Sequence, residues 1–412
     1  MSRIMSTVQG AASRRDVLKY GGAAAALGLA LKTGFGPRIA LAADEIVIGG
    51  SLPMTGVFAF AGIAGHQGLN DYVEWLNENG GIDGRKVRYV MEDTGYKVDV
   101  SVAAFKKITA AHKPQFYFGD STGFEKAIAS ELNQLGSTVM SGASFASELA
   151  DPQRYPFHFI AGPSYAEQVG ILLEYIKAEA SGGAAPKVAL VYSDTEFGRD
   201  PIASAKARIK TLGLELVDEI VTKPGSVDVS AEVLKLRRSR PDYVIFHGYV
   251  LSPINEFIVQ MKQMGLKTKF MGTYYTMDKL LIDQVGEPSD GFMGVMPYNY
   301  YDSDASGPNL DAMRAYSKKV APDVTYRPVP YVASWFTGMI FAEIARRTLA
   351  AGGDMSAKAM KAALEGIDGW DTGGIMGLPV SLKGHSVPVG RIYQVKFSEK
   401  RYVPASDWIA LT

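Results

Sequence analysis

Two patterns of apolar residues alternate along most of this chain. Short β-branched runs such as Glu45–Gly49, Lys187–Tyr192 and Tyr243–Phe246 are typical of strands buried on both faces of a parallel sheet. Between them, apolar residues recur every three or four positions, as in amphipathic helices. The alternation predicts an α/β fold with mainly parallel sheets and helices on both faces.

The first repeat, Glu45–Thr94, predicts a βαβ unit. A glycine-rich loop separates its first strand from a helix, and Lys86–Met91 returns as the second strand. The helical stripe consists of Leu69, Tyr72, Val73 and Leu76. Open α/β sheets bind small molecules at the carboxyl ends of their strands, so the loop after the first strand is a candidate binding loop.

The number of strand and helix repeats exceeds what one domain usually carries, which predicts two Rossmann-like lobes. The regularity lapses after Met296. We therefore place three hinge crossings near Ala161–Ser164, Met296–Asn299 and Ser386–Gly390. The N-terminal lobe would comprise residues 44–163 plus 298–387, and the C-terminal lobe residues 164–297 plus 388–412. Three crossings between two lobes predict a hinged clamshell.

Residues 1–43 have the features of a twin-arginine export signal. Arg14 and Arg15 precede the apolar run Gly21–Leu31, and Ala40-Leu41-Ala42 offers a small-x-small cleavage pattern. A short amphipathic helix or a membrane anchor is the alternative, although the run is shorter than the roughly 20 residues needed to span a bilayer. The pattern predicts a periplasmic protein with its signal cleaved near Ala42.

Composition excludes several function classes. The formal net charge is zero, and the leader holds six basic residues and one acidic residue, so the rest of the chain is mildly acidic and has no electrostatic reason to bind nucleic acid. Cysteine is absent, which rules out disulfides and thiolate chemistry. The five histidines lack metal-binding spacing, and the chain has neither G-x-G-x-x-G nor a Walker lysine, so we expect no metal and no cofactor.

The order of motifs resembles one known family. The loop L-P-x-T-G, the helix end N-x-x-G-G-I-D-G and the strand end E-D-T follow one another within the first unit, and Ser141–Ser144, Tyr192–Gly198, His247–Tyr249 and Lys269–Gly272 continue the match. This pattern is similar to the periplasmic binding proteins of branched-chain amino-acid type ABC importers. The resemblance implies a type I clamshell that binds a small solute without catalysis, acts as a monomer and delivers the solute to an inner-membrane ABC permease.

The resemblance also implies where the carboxylate of a solute would bind. The matching loop is Gly119–Gly123, which opens a helix, and a helix N-terminus offers free N–H donors and a positive dipole end. Ser121 and Thr122 are therefore anion-end candidates, with helix capping alone as the alternative. Ala143 and Ser144 would form the second wall.

The same loop spells G-x-S-x-G between a strand and a helix, which is the context of a hydrolase nucleophile. In that interpretation Ser121 is the nucleophile of an exported serine esterase. The base would be one of the downstream histidines His158, His247 and His385.

Two departures from the family concern the ligand. Phe145 stands where amino-acid binders usually carry a threonine, and Tyr274 stands where they keep a glutamate for the ammonium group. A buried ammonium without an anionic partner is costly, which argues against an α-amino acid unless Asp194 or Glu196 substitutes.

The remaining candidates are aromatic, and they are Phe60, Phe145, Phe197, Tyr249, Tyr274 and Tyr275. Aromatic walls favour a flat apolar solute, although rings that follow strands also serve as core residues. The favoured ligand is an aromatic or apolar carboxylic acid lacking an α-amino group. The alternative is a branched-chain amino-acid or amide receptor.

Overall fold

The computed structural model describes residues 45–180, 182–223 and 225–411, so the predicted export signal lies outside the described residues. Within these ranges the strands are β1 Ile46–Leu52, β2 Val87–Asp93, β3 Phe116–Gly119, β4 Val139–Gly142, β5 Lys187–Ser193, β6 Glu215–Thr222, β7 Tyr243–His247, β8 Lys269–Gly272, β9 Met293–Met296, β10 Val389–Lys396 and β11 Arg401–Ala410.

The α-helices in the same ranges are α1 Ala59–Glu78, α2 Val98–His112, α3 Thr122–Leu135, α4 Tyr165–Glu179, α5 Glu196–Arg199, α6 Ile202–Thr211, α7 Ser230–Ser239, α8 Ile254–Gln263, α9 Leu280–Val285, α10 Pro308–Val320, α11 Val329–Ala350 and α12 Ala357–Glu365. None of them, in the part of the chain that is described, combines the length and the apolarity required to cross a membrane.

The strands form two sheets, as the repeat count predicted. The first sheet has the order β2-β1-β3-β4 and is parallel throughout. The second has the order β11-β10-β9-β8-β7-β5-β6 and is parallel from β9 to β6. The α/β class with two lobes is confirmed.

The last two strands correct the expectation of parallel sheets. β10 pairs antiparallel with both β9 and β11. The reason is local, because β10 and β11 are joined by the short 3₁₀ turn Phe397–Glu399 and by Lys400 in the left-handed conformation. A connection this short can join only antiparallel neighbours.

Helices that follow β9 in the chain pack back onto the first sheet. α11 lies along α1, and α12 lies beside β4. The close approach of α1 and α11 depends on Gly68, because a Cβ atom there would lie 2.2 Å from the carbonyl oxygen of Tyr331. The first lobe is thus completed by helices from the second half of the chain.

Three segments that connect the two sheets contact one another. Ile160 N–H donates to the carbonyl of His385 at 2.8 Å, and Val387 N–H donates to the carbonyl of Gly162 at 2.9 Å. The hydroxyl of Tyr298 donates to the carbonyl of Ala161 at 2.6 Å. This bonding suits a hinge, and the lobe boundaries given above stay a prediction.

The contact between α1 and α11 generates a stability prediction. In an open helix position, Gly→Ala stabilises by roughly 0.5–1 kcal/mol. Gly68→Ala should instead lower the free energy of unfolding by about 1–3 kcal/mol, because the added methyl group overlaps the Tyr331 backbone. Urea denaturation measures the change. Gly384→Ala is the control, since Gly384 is exposed and a Cβ atom there would meet nothing within 4 Å beyond its chain neighbours; equal stability of both variants would contradict the packing argument.

Candidate functional site

A cleft lies between the two sheets, at the carboxyl ends of their strands. Its walls come from the loops after β1, β2, β3 and β4 on one side and from α5, the loop after β7 and the segment after β8 on the other. The start of α11 closes one end. The empty volume of the cleft is about 580 Å³, including the part open to solvent.

Aromatic rings dominate the walls. Their contacts are close, with centroid distances of 4.2 Å between Phe58 and Tyr96, 4.8 Å between Tyr165 and Phe197, and 4.5 Å between Tyr274 and Tyr275. The rings lining the cleft are Phe58, Tyr96, Phe118, Tyr165, Phe197, Tyr274 and Tyr275. Such a lining favours a flat, largely apolar ligand.

The N-terminus of α3 forms the polar part of the wall. Ser121 caps the helix, since its Oγ accepts the N–H of Phe124 at 3.3 Å. Thr122 and Gly123 are the first two helical residues, so their N–H groups have no acceptor within the helix. Thr122 Oγ1 lies 3.0 Å from Ser144 Oγ and 3.4 Å from the hydroxyl of Tyr165. Together these groups can hold an anion or a hydrogen-bond acceptor.

Asp120 precedes this helix and also belongs to the wall. Its side chain accepts hydrogen bonds from the hydroxyls of Thr94, Ser101 at 2.7 Å and Ser121 at 2.8 Å. Burial raises the pKa of the Asp120 carboxyl, and the three hydroxyls oppose that shift. Because the hydroxyl of Ser121 donates its proton to Asp120, that proton is not available as a hydrogen-bond donor to a ligand, unlike the role that the sequence suggested.

A buried ionisable pair lies next to the cleft. Glu125 Oε2 is 2.6 Å from His158 Nε2, and Glu125 Oε1 accepts the N–H of Ser144 at 3.1 Å. Both side chains are essentially inaccessible, and burial raises the pKa of Glu125. Glycine is needed at position 142 on the neighbouring strand, where a Cβ would lie 2.3 Å from the carbonyl oxygen of Gly119 and 2.8 Å from Glu125 Oε1. The pair therefore supports the turn that carries Ser144.

His247 supports the opposite wall. Its Nε2 lies 2.9 Å from the carbonyl of Phe197, and its Nδ1 lies 2.8 Å from Thr273 Oγ1. Burial lowers the pKa of His247 to about 3. The imidazole is therefore neutral at physiological pH, with one nitrogen donating to the Phe197 carbonyl.

Two tyrosines connect the sheets across the cleft. The hydroxyl of Tyr275 donates to the carbonyl of Ala143, which follows β4 of the first sheet. The hydroxyl of Tyr274 donates to the carbonyl of Val329 at 3.0 Å, at the start of α11. The two lobes are thus in contact over the cleft.

The structure brings together six of the ten residues that the sequence proposed for ligand binding. These are Ser121, Thr122, Ala143, Phe197, Tyr274 and Tyr275. Ser144 lies just behind them and contacts Thr122. Ligand contact by any of these residues stays a prediction.

The other three proposed residues are not part of the cleft lining. Phe60 is half-buried on α1, while Phe58, before the helix begins, lines the cleft. Phe145 is buried behind Tyr274, with centroids 5.2 Å apart. Tyr249 is buried with its hydroxyl 2.7 Å from Thr222 Oγ1, so its polar group is satisfied inside the second lobe.

Sequence reasoning missed Asp120, Tyr96 and Tyr165 as wall residues. Tyr96 follows the E-D-T strand end and adopts a positive φ of 63°, which a pattern of apolar residues does not reveal. Tyr165 begins α4 directly after the predicted first crossing. A residue at such a crossing is expected near the space between the lobes, and this signal could have identified Tyr165.

The esterase interpretation gains no support from the geometry. Ser121 Oγ contacts Asp120 and the Phe124 N–H, as a helix cap does. His158 pairs with Glu125 and His247 bonds to Phe197 and Thr273, while His385 Nδ1 lies 2.7 Å from the carbonyl of His158. Each candidate base is therefore engaged away from Ser121.

Comparison with known proteins places this geometry in context. A family model described as periplasmic binding protein matches residues 45–401. The Leu/Ile/Val-binding protein of Escherichia coli strain K12 is 25% identical over 305 residues, covering 72% of this chain and 78% of that protein.

Solved structures match over a larger share of the chain. A branched-chain amino-acid ABC transporter protein from Thermus thermophilus with bound valine has a TM-score of 0.82 at 25% identity, covering 90% of this chain and 98% of its own. An ABC transporter solute-binding protein from R. palustris in complex with 4-hydroxybenzoate has a TM-score of 0.74 at 19% identity, covering 89% and 97%. The second likeness concerns the fold alone.

The buried pair generates a stability prediction. Glu125→Ala removes the acceptor of His158 and of the Ser144 N–H, so the free energy of unfolding should fall by about 3–5 kcal/mol. Thermal and urea denaturation measure the loss. Asp368→Ala, which breaks the exposed pair with Lys383, should leave the unfolding midpoint unchanged. A similar small effect for both variants would show that the buried pair is unimportant.

His247 generates a pH prediction. The unfolded chain binds a proton at this residue near pH 6.5, whereas the folded chain does so only near pH 3. Protons therefore favour unfolding in this window, and stability should fall by about 1 kcal/mol per pH unit on acidification below pH 6.5 because of His247. Denaturation at several pH values gives the free energy of unfolding as a function of pH, and this plot should be less steep for His247→Gln than for the wild type. Equal slopes for the two proteins would contradict the assignment.

Proposed function

The chain belongs to the periplasmic binding protein family, and we propose that it is the solute receptor of an ABC importer for a small aromatic or apolar carboxylic acid without an α-amino group. The observation that carries this proposal is the cleft, whose lining combines seven aromatic rings with the N-terminus of α3. At family level the chain is a solute-binding protein rather than an enzyme.

The rings supply the apolar part of recognition. Burying an aromatic ligand releases water from its faces, at about 25 cal/mol per Å² of apolar surface. Good ring pairs add about 0.5–1.5 kcal/mol each. Tyr274 and Tyr275 would meet one face of the ligand, since they follow β8 of the second sheet, and Phe58 would approach from the first sheet.

The start of α3 would hold the carboxylate. The N–H groups of Thr122 and Gly123 are free of intrahelical acceptors, and the helix dipole favours negative charge there. Asp120 opposes an anion at this place when it is ionised, and the raised pKa of Asp120 reduces that opposition. Among the described lining residues there is no lysine or arginine, so ring burial must contribute most of the affinity.

An amino-acid or amide receptor is the second candidate, and Asp120 is the observation that favours it. Asp194 and Glu196 are exposed and paired with Arg199 and Lys126, so they offer little to a ligand ammonium. Asp120 lines the cleft beside the anion-binding helix, and one carboxylate there could pair with an ammonium group. The Escherichia coli and Thermus thermophilus relatives are binders of branched-chain amino acids by name or bound ligand.

The leader pattern supports export, and the family supports delivery to a permease. We infer that residues 1–43 direct twin-arginine export with cleavage near Ala42, and that the folded monomer works in the periplasm with an inner-membrane permease. Bound solute would favour the closed arrangement by its differential affinity for it, and the permease would recognise the closed surface.

Matched ligand pairs test the proposal. The acid 3-phenylpropanoate differs from phenylalanine only by the α-ammonium group, and 4-methylpentanoate differs from leucine in the same way. Thermal unfolding and calorimetric titration should show binding of the acids and of 4-hydroxybenzoate. A free ligand concentration of a hundred times Kd should stabilise the folded protein by about 2.7 kcal/mol. Benzamide, which lacks the carboxylate charge, should bind more weakly than benzoate.

The opposite pattern would overturn the ligand class. Tight binding of leucine with none of 4-methylpentanoate would make the chain an amino-acid receptor and would assign Asp120 to the ammonium group. Turnover of 4-nitrophenyl acetate that Ser121→Ala abolishes would restore the esterase. We expect Ser121→Ala to alter ligand affinity and no turnover to be present.

A further inference from the structure

Lys126 lies one helical turn beyond Thr122 on α3, at the edge where the two sheets face each other. Helix α3 connects β3 to β4 of the first sheet. The ammonium group of Lys126 lies 3.2 Å from a carboxylate oxygen of Asp200 and 3.4 Å from one of Glu196. Both acids lie between β5 and β6 of the second sheet, so these ion pairs join the two lobes.

Asp200 makes further contacts across the same boundary. Its Oδ1 accepts the N–H of Ser147 at 2.9 Å and the Ser147 hydroxyl at 2.5 Å. Ser147 follows β4, and its Oγ in turn accepts the N–H of Ala166 at 3.0 Å. One carboxylate thus receives two hydrogen bonds and an ion pair from the first-sheet side.

The contact is largely shielded from water. The side chain of Asp200 is 3% exposed and that of Lys126 is 20% exposed, whereas Glu196 is 64% exposed. Burial lowers the pKa of Lys126, but the carboxylates of Asp200, Glu148 and Glu196 raise it more, so the pKa lies above its ordinary value. A shielded ion pair whose carboxylate also accepts hydrogen bonds is stronger than a surface pair. Asp200 therefore contributes more than Glu196 to the contact with Lys126.

We propose that Asp200, together with Lys126 and Ser147, is an affinity-determining lock outside the cleft, which holds the lobes closed and slows release of the solute. The lock touches no ligand in the cleft. It rests on the proposed solute-binding function only in that closure traps a solute. Because opening separates its partners, its contribution exists in the closed form alone, and it acts on the dissociation rate rather than on encounter.

Stopped-flow and calorimetric measurements with the acid that binds in the panel above test the lock. Asp200→Asn and Lys126→Met should each raise the dissociation rate by about ten- to a hundredfold, with an association rate unchanged within about threefold. The double variant should raise the dissociation rate by less than the product of the two single-variant increases, because Asp200 and Lys126 are coupled. Asp194→Asn is the matched control, since Asp194 pairs with Arg199 at the surface of the same loop.

Stability separates a lock from a merely structural contact. Asp200→Asn should lower the unfolding midpoint of the solute-bound protein more than that of the solute-free protein, because only the closed fraction of the solute-free protein engages the lock. A fall in the solute-free midpoint with an unchanged dissociation rate would overturn the proposal. An effect of Asp194→Asn as large as that of Asp200→Asn would overturn it too, because the position of the charge would then be irrelevant.

A distance measurement keeps the test independent of the solute. The chain has no cysteine, so Lys107→Cys on α2 and Lys210→Cys on α6 can be labelled specifically, and both positions are exposed. Without any solute, Asp200→Asn should shift the distance distribution towards the separated lobes. Identical distributions for variant and wild type would overturn the lock. Failure of every acid to bind would instead overturn the proposed ligand class.

Discussion

The first turn of α3 has to satisfy buried backbone donors while facing a cleft, and the surrounding structure meets that constraint. A helix start leaves N–H groups without intrahelical partners. Ser121 accepts one of them, and its own proton goes to Asp120. The N–H groups of Thr122 and Gly123, which precede Phe124, have no acceptor within the helix, and we propose that they bind the ligand. Loss of the cap or of its orientation would change the binding surface itself.

The charges around this turn are the reason that we expect apolar burial to provide most of the affinity for the proposed ligand. The lining residues of the described chain include one acidic group, Asp120, and no lysine or arginine. The helix dipole would stabilise an anion there by typically 0.3–1 kcal/mol and up to about 2 kcal/mol when partly buried, and the N–H and hydroxyl donors of the turn would add hydrogen bonds. The aromatic walls have no such limit, because their contribution grows with the area covered.

Much of the fold follows from periodicity, and much of the site does not. The β-branched runs and helical stripes predicted most strands, but the antiparallel β10 and β11 depend on one short turn that the pattern did not single out. For the site, the sequence predicted the correct strand-end loops, but it did not always identify which residue of a loop lines the cleft. Phe58 lines the cleft in place of Phe60, because α1 begins between them. Tyr96 depends on a positive φ that no pattern encodes.

One helix, α3, carries both Thr122, which is proposed to bind the solute, and Lys126, which is proposed to hold the lobes together. Residues four apart on a helix share a face, so Thr122 in the cleft and Lys126 at the lobe boundary lie one turn apart on α3. Glu125, between them, ties the same turn to His158 and Ser144. A solute held at the start of α3 would lie one helical turn from the contact between Lys126 and Asp200. Under the two proposals, affinity depends also on contacts that the solute never makes, because closure and recognition use the same helical turn.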